Sequence, residues 1–258
     1  QVNGVAHLVM DDPARKVNVI GEAAIADLER ALAVLEADAQ IRGVVVMSGK
    51  PGTFVAGADV NEIAAVKDKE AVHVLVRRVH SVFNRLAALH CPTVAAIDGT
   101  CLGGGTELAL ACDSRIATEE EHTQIGLPET MLGIIPGFGG TTRLPRLTGL
   151  STALDLILTG RSVDARRAEK MGLIARAVPA AWLLEHAYRR LTELELGKSK
   201  CPQRSPSPLG ASGGTEVERP CDAVPPQAVT ESGPILDPGR WCLRQVDVDL
   251  DALLRLRI

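Results

Sequence analysis

Between Cys91 and Arg146 the chain sets two glutamates and two glycine clusters into otherwise apolar sequence, and this stretch restricts the fold most. Thr93 to Ile97 is β-branched and apolar, as a buried strand would be, and Asp98-Gly99 ends it. Gly103, Gly104 and Gly105 follow, a run that lets backbone approach a ligand closely, and Thr106 to Cys112 then reads as a short apolar helix. A helix that opens on glycines presents unpaired N–H groups and the positive end of its dipole, a setting suited to an oxyanion. Glu107 sits in the first turn of that helix among Leu108, Ala109 and Leu110, and Glu129 stands behind Pro128, whose fixed φ predicts a rigid turn.

Two glutamates close to oxyanion-type donors suit general acid and base work on a carbonyl compound. Spacing alone also accommodates a plainer role, with Glu107 capping a helix and Glu129 on a solvated turn. The surrounding chain alternates strand and helix. Gly4 to Met10 and Gly43 to Ser48 read as strands, the second a continuous apolar run of the kind found in parallel sheets covered on both faces. Helical periodicity runs over Glu22 to Ala39 and over Asp68 to Leu89, then over Leu150 to Leu158, Ala165 to Met171 and Trp182 to Leu196, with a short strand over Leu173 to Val178. The class expected is therefore α/β with right-handed crossovers. Gly137-Phe138-Gly139-Gly140-Thr141-Thr142 lacks the spacing of a dinucleotide loop and reads instead as a turn and helix start that help close the pocket.

Three motifs, PGTFVAGADVNEI, LGGGTELALACD and IGLPETMLGIIPGFGGTTRLPRLTG, resemble in their order the enoyl-CoA hydratase/isomerase, or crotonase, family. The match is closest to the hydratase module of multifunctional fatty acid oxidation alpha subunits. That resemblance implies a spiral of β-β-α repeats. It implies that Glu107 and Glu129 are the catalytic acids, Glu129 serving the α carbon and Glu107 the water. It makes the N–H groups of Ala58 and Gly104 an oxyanion hole and places Gly57, Asp59 and Gly103 in the loops that hold the acyl-CoA, although Asp59 reads on its own as a cap or loop acid. The implied reaction is reversible hydration of a trans-2-enoyl-CoA to a 3-hydroxyacyl-CoA in fatty acid β-oxidation. No metal or redox cofactor is implied, coenzyme A entering as part of the substrate, with Lys16 or Lys50 as candidates to meet its phosphates. Two alternatives stay open: a 3,2-enoyl-CoA isomerase using Glu129 in the same site, and a non-catalytic scaffold on the same fold.

Residues 1–197 are expected to form the crotonase-like domain and residues 198–258 a largely unstructured tail rich in Pro, Ser and Gly, since eight prolines fall between Cys201 and Arg240. Val246 to Leu250 alternates like a strand, while Leu250 to Ile258 suits a helical turn equally. The helical segment that covers the acyl pocket and builds a trimer in the resembled hydratases is not recognisable here, which leaves a homo-oligomer undecided. The chain opens on Gln1 with no secretory leader pattern, as a trimmed piece of a longer protein would.

Composition narrows the partners. Only 2% of residues are aromatic against 46% apolar, so the core is built from Ala, Val, Leu and Ile. A net charge of −4 gives no reason to expect nucleic acid, and no apolar run is long enough to span a membrane. Six scattered cysteines form neither a zinc pattern nor a disulfide framework, and a reducing cytoplasm is the expected compartment. His73, His80 and His90 fall on or at the end of one helical pattern and read as surface or core contacts outside catalysis.

Overall fold

A computed structural model of the protein describes residues 2–65, 68–197, 229–234 and 241–248. The middle of the chain winds in turns that lay one strand into a large sheet, one into a small sheet, and then a helix. β1 (Val2–Met10) leads through α1 (Glu22–Ala37) into β2 (Gly43–Ser48), β3 (Thr53–Val55), α2 (Val60–Ala65) and α3 (Lys69–Ala87). The next turn is β4 (Thr93–Ile97), β5 (Thr100–Leu102) and α4 (Gly104–Ala111). A third comprises β6 (Ser114–Thr118), β7 (Gln124–Gly126), a 3-10 turn over Pro128–Leu132, α5 (Gly140–Thr148) and α6 (Leu150–Thr159). β8 (Ser162–Asp164), α7 (Ala165–Lys170), β9 (Arg176–Val178) and α8 (Leu183–Glu195) follow.

β1, β2, β4, β6 and β9 pair in parallel in that order, and β3, β5 and β7 do the same in the small sheet, where β8 adds an antiparallel edge. The β-β-α spiral is thus visible directly in the strand order. Both faces of the central strands β2 and β4 are covered, which is why these two are almost wholly apolar. Val44 and Val46 face the main core with α1 and α3, while Val45, Val94 and Ile116 face a second cluster built by Tyr188, Ala187 and Leu191 of α8. His7 of β1 meets Tyr188 across that second face, Nε2 to Oη at 2.7 Å.

Helix boundaries follow local chemistry. Asp68 caps α3 by accepting from the Glu70 N–H, and Asp164 caps α7 through the Arg167 N–H. Gly160 and Gly172 close α6 and α7 with positive φ. Of the expected tail, residues 198–228, 235–240 and 249–258 lie outside the described residues. Two strands within it are described: β11 (Trp241–Val248) pairs antiparallel with β1, and β10 (Val229–Pro234) pairs with β11. Among the described residues no helix is long and apolar enough to cross a membrane.

Candidate active site

The small sheet delivers the site. β5 and β7 pair through Cys101 with Ile125 and Leu102 with Gly126, so the glycine run after β5 and the Leu127-Pro128-Glu129 turn after β7 leave the sheet side by side. The Gly103 N–H donates to the Gly126 carbonyl at 2.9 Å, and the Thr106 hydroxyl lies 2.7 Å from the Cys101 carbonyl and 2.8 Å from that of Gly126. α4 therefore starts from a fixed point. Gly103 has φ +51°, and a Cβ there would stand 2.9 Å from Glu129 Oε1, so the carboxyl of Glu129 lies against this glycine.

Ala58 comes from the other side. Its neighbours are pinned to the segment before α1: Ala56 N–H donates to Asn18 O, Ile20 N–H to Gly57 O, and Asp59 N–H to Ile20 O, at 2.8 to 2.9 Å. Asn18 is itself buried and donates to Met10 O at 2.8 Å. Gly57 has φ +134°, a turn that only glycine takes without strain. A Cβ at Gly104 would sit 3.3 Å from Ala58 N, so the two backbones run in contact. Among the described residues neither the Ala58 N–H nor the Gly104 N–H donates to a protein acceptor, the second because Gly104 is the first residue of its helix. Asp59 is engaged elsewhere: it accepts from Asn61 N and Glu62 N at the start of α2 and pairs with Arg15 at 2.6 Å. Lys50 is paired with Asp11 at 2.9 Å, whereas Lys16 is exposed.

Glu107 is 1% exposed and Glu129 9%. Glu107 Oε1 accepts two backbone N–H groups, from Phe138 at 2.8 Å and Gly140 at 2.7 Å. Burial dominates its titration and pushes the carboxyl up to about 7; the Glu129 carboxylate works in the same direction, and the Gly140 and Phe138 amides and Arg143 work against it. Burial likewise raises Glu129, whose Oε2 is buried without a hydrogen-bond partner in the protein. Two neighbouring acids of this kind titrate as a coupled pair. The two amides favour charge on Glu107 against the burial that raises it, and Glu129 keeps one buried oxygen without a protein partner. Two buried acids with raised titration beside two free N–H donors can move a proton each way while stabilising an oxyanion.

The amides of Phe138 and Gly140 were not singled out by sequence reasoning, although the second glycine cluster was the signal for them. Among the described residues no group of three or more His, Cys, Asp or Glu is placed to hold a metal ion. A cavity of about 630 Å³ opens behind Arg143, lined by His80, Asn84, Leu110, Asp113 and Arg146 among others, and neither acid lines it.

The family model described as enoyl-CoA hydratase/isomerase matches residues 1–203 of the chain. The chain is 47% identical over 185 residues to the fatty acid oxidation complex subunit alpha of Shewanella frigidimarina, covering 72% of itself and 26% of that protein. It is 48% identical over 189 residues to the same-named subunit of Vibrio cholerae, covering 73% of itself and 27% of that protein. The chain thus spans about a quarter of the length of these curated relatives. Among solved structures, the enoyl-CoA hydratase of Bacillus anthracis superimposes with a TM-score of 0.69 at 38% identity, over 74% of this chain and 73% of that one.

Proposed function

The chain belongs to the enoyl-CoA hydratase/isomerase family, and from that premise we propose that it adds water reversibly across the 2,3 double bond of a trans-2-enoyl-CoA. The observation that carries this reading is the pair of buried acids, Glu107 and Glu129, set beside the unpaired N–H groups of Ala58 and Gly104. The thioester oxygen accepts from both amides. Ionised Glu107 takes a proton from water as its oxygen bonds to C3, the double-bond electrons move toward the thioester, and the resulting enolate is held by the amides, each worth about 10² to 10³ in rate. Glu129 then delivers its proton to C2, which completes the addition of H and OH. Addition leaves the proton on Glu107 and the charge on Glu129, and the proton passes back from Glu107 to Glu129, directly or by exchange with solvent, before the next turnover; the reverse reaction runs the same steps backwards.

Gly57 and Gly103 permit the close backbone approach this geometry needs, and Asp59 supports the loop by capping α2. Met131, Leu132, Ile134 and Ile135 follow Glu129 and are exposed, offering an apolar surface for the acyl chain. Lys50 is engaged by Asp11, so the exposed Lys16 is the freer of the two lysines to meet a CoA phosphate. The chemistry asks for no metal or redox cofactor, and a reducing cytoplasm suits the buried free thiols Cys91, Cys101 and Cys112.

The test is loss of the conjugated enoyl absorbance on adding a short trans-2-enoyl-CoA. Wild-type turnover, with losses of about 10² to 10⁴ in Glu107→Gln and Glu129→Gln, is the expected result. A folded wild-type protein without turnover would overturn the proposal. Retained 3,2-isomerisation in Glu107→Gln, with hydration lost, would assign an isomerase activity to Glu129 in the same site.

A further inference from the structure

Glu107 depends on a turn that is itself held from outside. Its carboxylate rests on the N–H groups of Phe138 and Gly140, so the orientation of the peptides in residues 137–140 fixes where the carboxylate points. Two side chains grip those peptides by their carbonyls. His80 Nε2 is 2.7 Å from Gly137 O, the carbonyl of the same peptide unit whose N–H is donated by Phe138 to Glu107. Because the partner is a carbonyl, Nε2 must carry the proton. Arg143 Nη1 donates to Phe138 O at 3.2 Å, and its Nη2 donates to Asn84 Oδ1 at 2.7 Å.

His80, Phe83 and Asn84 share one face of α3, being spaced by three and four residues. Phe83 meets the Phe138 ring edge-on at 6.2 Å, so this face holds the turn by a ring contact as well as by its polar groups. Gly139 has φ +109°, and a Cβ there would lie 2.1 Å from Arg143 Nη1. The glycine therefore leaves room for the guanidinium. A peptide whose oxygen accepts a hydrogen bond is a stronger N–H donor, so the His80 contact is transmitted to Glu107 through the peptide itself.

We propose that His80 and Arg143 are positioning residues for Glu107: His80 polarises the Phe138 amide through the Gly137 carbonyl of the same peptide, and Arg143 holds the Phe138 carbonyl and so fixes the turn between the two amides that carry the carboxylate. The proposal rests on the reading of Glu107 as the group that activates water. The charged groups facing Glu107 are Glu129 from the 128–132 turn and Arg143 from α5, and Arg146 acts on Arg143 from one turn further along the helix. Loss of either grip weakens the stabilisation of the ionised carboxylate, so its protonation midpoint moves up.

The experiment compares His80→Leu, Arg143→Met and Asn84→Leu with wild type. It uses kcat and KM on a short trans-2-enoyl-CoA, and an infrared titration of the carboxyl band that disappears in Glu107→Gln. The expected result is a fall in kcat of roughly 10- to 100-fold with KM within about twofold. The Glu107 midpoint should rise by about half a pH unit or more. His80→Gln, which keeps a donor for Gly137 O, should recover most of kcat. Asn84→Leu loosens Arg143, and through it the turn, without itself touching the turn, and serves if the other variants fail to fold. Wild-type kcat and midpoint in folded His80→Leu and Arg143→Met, or in Asn84→Leu if those do not fold, would overturn the proposal. So would an equal midpoint shift in Arg146→Gln, which lines the same cavity without touching the turn. An inactive wild type whose Glu107 midpoint still moves in the variants would refute hydration while supporting the positioning.

Discussion

Replacing Glu107 by Gln should make the protein more stable, and only above mildly acidic pH. The buried carboxyl titrates near 7 in place of its ordinary 4.5, a difference of about 2.5 pH units. At about 1.4 kcal/mol per unit the ionised acid costs the fold about 3 kcal/mol. Between those two values the folded protein binds the proton that the unfolded chain has released, so wild-type stability falls as pH rises from about 4.5 to about 7 and then levels. Gln has nearly the same shape, keeps an oxygen for the Phe138 and Gly140 amides, and does not titrate. It also removes the repulsion with Glu129. The difference between variant and wild type should therefore be under about 1 kcal/mol at pH 5 and approach about 3 kcal/mol at pH 8. Urea unfolding followed by far-UV circular dichroism at both pH values reads this directly. With an m-value of about 2 kcal/mol/M, the midpoint at pH 8 should rise by about 1 to 1.5 M. A difference that is the same at pH 5 and pH 8, or a variant less stable at pH 8, would refute the claim that burial of this acid governs its titration.

Gly104→Ala brings a methyl to 3.1 Å from the Phe138 ring and 3.3 Å from Ala58 N, so it should cut enoyl-CoA turnover by about 10² while costing only about 1–2 kcal/mol in urea unfolding. Gly105→Ala is a different case, because its methyl would lie 2.2 Å from the Val55 carbonyl oxygen; a loss of about 3 kcal/mol or more, read as a fall in Tm, is expected. Thr106→Val removes the hydroxyl that joins the Cys101 and Gly126 carbonyls and should lower stability by about 1–3 kcal/mol in the same assay. Burial works to raise the Asp59 carboxyl, but the Glu62 N–H, Arg15 and the Asn61 N–H together hold it below its ordinary 3.8. Asp59→Ala should thus cost about 1–2 kcal/mol at neutral pH, a penalty that fades as pH falls below the ordinary carboxylate range; a penalty that does not diminish at all as pH falls would contradict the cap and ion pair.

The long elements were legible because their periodicity is long. α3 needs nineteen residues of one apolar face, and its Asp68 cap is a local signal. β2 showed as a continuous apolar run because α8 and the main core cover its two faces. The small sheet was not legible. β3, β5, β7 and β8 have three residues each, too few to display alternation, and they exist because non-local pairing supplies their partners. The same limit applies to the site. Glu107 and Glu129 could be singled out as acids in apolar company, but their approach follows from the β5 to β7 register and the Gly103 to Gly126 hydrogen bond, which no local pattern encodes. His80 read as a surface or core contact, and its grip on Gly137 depends on where α3 crosses the turn before α5. β10 falls in sequence whose prolines and serines suggested an unstructured tail, whereas β11 ends in the Val246 to Leu250 run that alternates like a strand; their pairing comes from the free edge that β1 offers.

The most direct measurement is to run the reaction in oxygen-18-labelled, deuterated water with a short trans-2-enoyl-CoA and analyse the product by mass spectrometry. Two acids poised over adjacent carbons should yield a 3-hydroxyacyl-CoA carrying the heavy oxygen at C3 and a deuteron at C2, with both labels lost together in Glu107→Gln. A folded wild-type protein that returns the substrate unlabelled, or a Glu107→Gln variant that incorporates both labels at the wild-type rate, would contradict it.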